Sequence, residues 1–471
     1  MSNTSRFTQF SALAVGIAGA LAFGQVHASG FQLRESSVKN LGRSQAGTAV
    51  ANGDASVVSY NPGAMGFIDQ NTVQADVTVI DLTAKFEGSA HNALGMPISG
   101  GNGGDPGNAT AVPAIAAVFP LHGALEKLTL GASVGAPFGL KTEYDSDWVG
   151  RYNAVTSDVK TVDLTLSAAL KLSPTFSVGA GLIYEKADVT LSQMVDYGLI
   201  LASAGIPGSV PGTTDGLAKV SGTSHGYGWV AGFEFRPTDR FAIGYSHRSE
   251  IDQDIKGDAT FNAPASFVGS QPLFQQMAAQ CLMAPPTNPC YAQLPTLLAL
   301  GNGFVPTNAS AALTTPSTDT VSLRYDFTDS FRLMADWQQT DWHSLRSVDV
   351  HYDNPYQAPS SEAFDWKDSR LLSLGAEWDI NAAWTLRGGV AQDKSPTHDD
   401  TRTPRLPDNT RTLLSIGATW RVTDAFSVDA AYQHISIKSP SIDAFTSLGT
   451  ELTGKFSGHA DLFGIAAQYR F

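Results

Sequence analysis

The chain has 471 residues, a formal charge of −14 and only 16% charged residues. The acidic balance argues against nucleic acid or an anionic lipid surface as a partner, since both are bound by a basic face. After residue 30 no apolar run reaches the roughly 18 residues of a membrane helix, which excludes a helical membrane protein. A transmembrane β-barrel leaves just such a weak trace, because each of its strands is only half apolar.

Residues 1–28 read as a secretory signal. Arg6 supplies the positive start, Phe10 to Phe23 an apolar stretch too short to span a bilayer, and Val26-His27-Ala28 small residues for cleavage before Ser29. Residues 29–70 do not alternate. They are rich in Gly and Ala, carry little charge, and include the turn-forming Asn61-Pro62-Gly63. A segment of this kind ahead of a first strand is sized to fill a barrel, so it is expected to be a hatch, or plug.

From residue 71 onward apolar residues recur at every second position, as in Leu182 and Tyr184, Trp229 and Phe233, or Leu414 and Ile416. The residues between them are Gly, Ser, Thr, Asp, Arg and Gln. Period two places the apolar set on one face, fit for lipid, and the polar set on the other. The pattern predicts strands at 71–86, 110–121, 127–138, 159–172, 175–191, 219–236, 240–257, 318–328, 331–343, 365–379, 383–394, 411–422, 425–437 and 459–471. That is fourteen antiparallel strands, an even number, as a closed barrel with both ends on one side requires. Tight turns flanked by aromatics, such as Phe327 to Phe331 and Trp420 to Phe426, mark one membrane interface. The chain ends on Phe471, an aromatic terminus of the kind seen in outer-membrane barrels.

The third predicted strand contains Pro137, which has no N–H for a ladder, between Gly135 and Gly139. Two readings stand: a kink that opens the wall as a lateral gate, or a strand that simply ends there. Two long connections, 192–217 and 258–316, carry Leu199, Ile200, Leu273, Phe274, Leu297 and Leu298. These form either an apolar landing groove or a lid packed on itself. Cys281 and Cys290 lie in the second connection, and an exported chain meets an oxidising compartment, so a local disulfide is expected, though spacing alone does not establish it. No metal spacing, phosphate-cradling loop or nucleophile elbow appears, so neither a cofactor, a metal nor an enzyme is expected.

Ser29-Gly30-Phe31-Gln32-Leu33, Asn40-Leu41-Gly42-Arg43-Ser44 and Asn61-Pro62 resemble the hatch of the FadL/TodX family of outer-membrane transporters for hydrophobic compounds. Asp147-Trp148-Val149-Gly150-Arg151-Tyr152, Trp366-Lys367-Asp368-Ser369 and Arg405-Leu406-Pro407-Asp408-Asn409 extend the match along the chain. The resemblance implies a fourteen-stranded barrel, a lumen hatch and a lateral opening at a kinked third strand. It also implies passive uptake of long-chain fatty acids; uptake of aromatic hydrocarbons or alkanes, and an adhesin or phage receptor, are the alternatives. Lys186 and Lys367 stand where the family has basic residues that meet a ligand carboxylate. Arg151 and Arg248 are further candidates, and each of the four has the alternative of an ordinary ion pair. Phe31 and Leu33 are placed to reach the pocket from the hatch. Gly63 replaces the usual Ala, which would loosen the hatch. The expected partners are a hydrophobic ligand and outer-membrane lipid or lipopolysaccharide around a monomer.

Overall fold

The computed structural model describes residues 30–471, so the signal sequence read at 1–28 lies outside the described residues. Fourteen antiparallel strands form one closed sheet. They are β1 (Thr72–His91), β2 (Thr110–Pro120), β3 (Leu128–Gly135 and Gly139–Glu143), β4 (Thr156–Ser173) and β5 (Phe176–Asp196). Next come β6 (Asp215–Thr238), β7 (Phe241–Arg248 and Ile251–Phe261), β8 (Thr307–Thr315 and Thr318–Asp326) and β9 (Phe331–Thr340 and Ser347–Tyr352). The last are β10 (Ser360–Ala363 and Ser369–Asp379), β11 (Trp384–Lys394), β12 (Arg411–Arg421), β13 (Phe426–Ile437 and Ser441–Phe445) and β14 (Glu451–Arg470). Each strand pairs with its sequence neighbour, and β1 closes on β14 in an unbroken register from Thr72↔Arg470 to His91↔Glu451. Closure leaves no strand of the sheet without a neighbour on either side, the condition for a sheet to sit in lipid.

The molecule is inverted relative to a soluble protein. Leu166, Leu182, Trp229, Leu372, Ile416 and Ile465 face outward and are exposed, whereas Asp163, Glu185, Glu234, Asp336, Gln338 and Asp429 face the lumen and are buried. Only a hydrocarbon surround makes that arrangement favourable. Aromatics gather beside the short turns, with Trp384 stacked 6.0 Å from Trp420 and Tyr325 4.7 Å from Phe327. Among the described residues no helix is long and apolar enough to cross a membrane.

Several strands continue beyond their predicted outer ends. β8 begins at Thr307 and β14 at Glu451, well before 318 and 459. The predicted connection 192–217 takes in the top of β5, to Asp196, and the start of β6, from Asp215, with α3 (Tyr197–Ser203) between them, and 258–316 holds α4 (Ala265–Met283) and α5 (Leu294–Asn302). Ahead of these in the chain, residues 30–68 occupy the lumen with two short helices, α1 (Val38–Leu41) and α2 (Val57–Tyr60), and a 3-10 turn, Pro62–Phe67. The Ser37 hydroxyl caps α1, and the Asn61 side chain accepts from Gly63 N–H while donating to Ala49 O and Phe233 O at 2.6 and 2.9 Å.

The expectation that Gly63 loosens this segment is overturned by the packing. A Cβ there would lie 2.7 Å from Gly232 O and 2.7 Å from Phe233 Cα, and a Cβ on Gly179 would lie 2.4 Å from Pro62 C. Gly63, Gly179 and Gly232 let the turn sit directly on the wall, so the glycine tightens the seat.

Candidate functional site

β3 breaks where the proline requires it. Gly135 pairs with Asp163 and Gly139 with Lys160, so four steps on β3 match three on β4, a bulge centred on Ala136-Pro137-Phe138. Phe138 keeps a partner on β4 through Thr161, whose N–H donates to Phe138 O at 3.0 Å and whose hydroxyl accepts from Phe138 N–H at 3.1 Å. On the other side the ladder stops. β2 pairs with β3 only from Ile115↔Val134 to Pro120↔Thr129, leaving residues 110–114 paired with β1 alone.

The tip of the lumen segment fills this interruption. Leu33 N–H donates to Pro137 O and Gly139 N–H donates to Phe31 O, both at 2.7 Å, so residues 31–33 act as a two-bond strand against the kink. The Phe31 ring packs against Trp342, Phe138 and Trp366 with centroids 4.8, 5.8 and 5.9 Å away. Gly30 precedes it with φ +63°, pressed against Trp342 and held by its N–H to Asp408 Oδ2 at 3.0 Å.

Behind the interruption lies a cavity of about 80 Å³ whose lining includes Leu33, Arg34, Tyr60, Pro137, Phe138 and Arg248. Arg248 donates to Asp163 at 2.7 Å and Glu185 at 2.9 Å and lies over the Phe138 ring at 5.8 Å. Ser133 Oγ, Thr165 Oγ1, Asp163 Oδ1 and Arg248 Nε are buried polar atoms of the cavity lining without a protein partner. Such atoms give the space bonding capacity for a polar headgroup as well as for water.

The structure therefore brings together Phe31, Leu33, Gly135, Pro137, Gly139 and Arg248. Lys186 is not among them: it points out of the barrel, half exposed, and pairs with Asp188 at 3.1 Å. Lys367 is exposed at the outer rim, its N–H bonded to Pro396 O. Arg151 is buried away from the cavity, tying Asp215 (2.7 Å), Ser99 O (2.9 Å) and Tyr152 into one loop junction. For Lys186 the reason is strand parity, since it shares the outward face with Leu182 and Tyr184.

The outer connections divide the remaining candidates. Phe274 and Leu297 are buried, and Ile200 and Leu298 half-buried, in a small core with Tyr197 and Phe267, as a self-packed lid would have them, and Leu199 is buried outside that core. Leu273 is exposed, as are Val268, Met277 and Met283 on the same helix, α4. Cys281, buried, and Cys290, half-buried, stand as separate thiols at the end of α4 and in the turn that follows it. Asp341, His343 and Asp368 also converge at the outer rim, with one ligand atom of each within 4.8 Å of the others. Their spread in sequence hid them.

The sequence matches the family described as Outer membrane protein transport protein (OMPP1/FadL/TodX) over residues 19–471. It is 29% identical to the 47 kDa outer membrane protein of Pasteurella multocida, over the full length of both chains. It is 27% identical to the long-chain fatty acid transport protein of Escherichia coli K12, covering 99% of this chain and all of that one. A crystal structure of a Pseudomonas aeruginosa FadL homologue superposes with a TM-score of 0.83 at 26% identity, covering 94% of this chain and 99% of that one. The P. putida toluene transporter TodX shares the fold, with a TM-score of 0.63 at 15% identity and coverage of 92% and 97%.

Proposed function

We propose that this chain, which belongs to the OMPP1/FadL/TodX family of outer-membrane transport proteins, takes up long-chain fatty acids and releases them sideways between β2 and β3. One observation carries this reading: the wall is unpaired at the kink, and the lumen segment closes it with two hydrogen bonds. The exposed apolar residues of α4, Val268, Leu273, Met277 and Met283, serve as the landing surface. The acyl chain then reaches the cavity, where Arg248 receives the carboxylate through charge-assisted bonds in exchange for part of its contact with Asp163 or Glu185. Displacing residues 31–33 costs about 1–3 kcal/mol for two hydrogen bonds, and about 1.5–3 kcal/mol more if Phe31 leaves its aromatic neighbours. Each CH₂ kept out of water contributes about 0.8 kcal/mol, so a long chain outweighs that cost several-fold and is driven toward hydrocarbon, not into the periplasm.

A second reading, a neutral hydrocarbon, is favoured by the fact that Arg248 already holds two carboxylates. Both readings need the gap. A Cβ on Gly135 would stand 4.0 Å from the Ala114 Cβ, within disulfide range. In a background with Cys281→Ser and Cys290→Ser, the pair Ala114→Cys and Gly135→Cys should staple the wall. Oleate uptake into cells should stop when the staple is oxidised and return on reduction. Uptake that is equally fast in both states sinks lateral exit.

A further inference from the structure

At the end of the barrel that carries the short turns, a second cavity of about 60 Å³ lies between the lumen segment and the ends of β9 to β14. Its walls are unusually cationic for a chain of net charge −14. Lys39, Arg332, Arg387, Arg421 and Arg470 line it, with Arg43 immediately behind. Five of these six cations share three carboxylates within ion-pair distance. Glu377 takes Arg43, Arg332 and Arg387 at 2.6–2.7 Å; Asp379 takes Arg332 and Arg421 at 3.0 and 3.1 Å; Asp429 takes Arg387 at 3.2 Å and Lys39 at 4.0 Å. Asp424 stands exposed at the rim, and Asp54 lies deeper, bound to Ser37, Ser56 and Gln74. Arg470 has no carboxylate within 4.0 Å among the described residues.

Where Arg470 spends its donors is informative. One terminal nitrogen reaches Gln468 Oε1 at 2.8 Å and Gly53 O at 3.4 Å. The same Gly53 carbonyl accepts from Lys39 Nζ at 3.0 Å and Gln468 Nε2 at 2.7 Å. Gly53 holds φ +78°, with space for a Cβ taken by the Arg470 guanidinium at 2.9 Å. Two cations thus converge on one neutral carbonyl, a weaker acceptor than an anion would be.

We infer that this cavity is a binding site for a small oxyanion, a phosphate or a carboxylate, held by Arg421, Arg470 and Lys39. The clustered cations supply its charge complement, and a space of this size takes a group of a few heavy atoms. The donors it recruits are those that hold the Gly53 carbonyl, so occupancy loosens residues 50–55 from the wall. This site is separate from the gate and does not depend on what the barrel carries.

The test uses the mature protein in detergent, titrated with inorganic phosphate and, separately, with butyrate, at ionic strength fixed with chloride. Calorimetry should show saturable binding, weakened about tenfold or more by Arg421→Gln and by Arg470→Gln. Hydrogen exchange at 50–55 should accelerate several-fold with the anion and not with chloride. Binding of either probe, with that dependence, supports the site; binding of neither, or binding that both variants retain, overturns it. Because Arg470 is close to the end of the closing strand, Lys39→Gln replaces it if that variant does not fold, folding being read from heat-dependent migration on gels.

Discussion

Replacing Gly63 with Ala tests how the lumen segment is seated. The added Cβ would meet Gly232 O and Phe233 Cα at 2.7 Å and Gly232 C at 3.0 Å, all backbone atoms of β6 with no side-chain rotation to relieve them. Ordinary contact begins at 3.4 Å, so the 3-10 turn must withdraw by about 0.7 Å. Withdrawal stretches the Asn61 clamp, which spans Ala49 O and Phe233 O. Overpacking of this kind costs roughly 1–3 kcal/mol. The cost falls on the lumen segment, since β6 is held by β5 and β7 along its length. Hydrogen exchange followed by mass spectrometry should therefore show peptides spanning residues 55–67 exchanging roughly 5- to 150-fold faster, with the strands unchanged. Unchanged exchange over 55–67, or loosening confined to β5 and β6, refutes the reasoning.

Other expectations follow from single contacts. Arg248→Met alone leaves Asp163 and Glu185 buried without their cation and should destabilise by about 3–5 kcal/mol, whereas Arg248→Met with Asp163→Asn and Glu185→Gln should fold. In that triple variant the ratio of oleate uptake to uptake of a neutral analogue should fall about tenfold, and an unchanged ratio removes Arg248 from ligand selection. The Asp368 carboxylate beside His343, 2.6 Å from its Nδ1, holds the imidazolium above the ordinary histidine range. The contact therefore contributes fully below the ordinary value and fades as pH rises through the raised one; proton NMR should find the His343 titration moved down by Asp368→Asn. The Cys281 thiol is pushed up to about 11, first by its hydrogen bond with Cys290 and then by burial. Peptide mapping after brief alkylation at neutral pH should find Cys290 modified first, and the reverse order contradicts the pairing.

What the sequence made legible and what it hid divide along the membrane boundary. Inside hydrocarbon every outward side chain must be apolar, so β5, β10 and β12 advertise themselves through Leu182, Leu372 and Ile416. Above the membrane both faces of a strand meet water or loops, and the constraint lapses. β14 runs through Lys455, Ser457 and His459 on its outer face, and the upper β8 through Asn308 and Ser310, which carry no alternation to read. Helices α4 and α5 were hidden for a related reason: Pro272 lies inside α4 and Pro285, Pro286 and Pro289 follow it, yet the pair is held by burial of Phe267, Phe274 and Leu300, which is a tertiary effect.

The site was half legible, and the missing half was written in the same period-two code. Pro137 between glycines located the broken ladder, because no other residue there removes a donor. Choosing the cation required parity. Lys186 lies an even number of steps from Leu182 and Tyr184, which commits it to the lipid side, whereas Arg248 lies an odd number from Tyr245 and His247, which commits it to the lumen. What no parity rule supplies is the approach of residues 31–33 to the kink. That contact joins residues 31–33 to β3 through backbone atoms alone, Phe31 O and Leu33 N, so no side-chain pattern encodes it. It is permitted because the ladder with β2 stops short of Pro137, and buried backbone groups left without a strand partner on that side take whichever partner the fold brings within reach. The break in the wall and the tip that closes it are therefore one feature: removing the unpaired backbone of β3 removes the reason for residues 31–33 to be there.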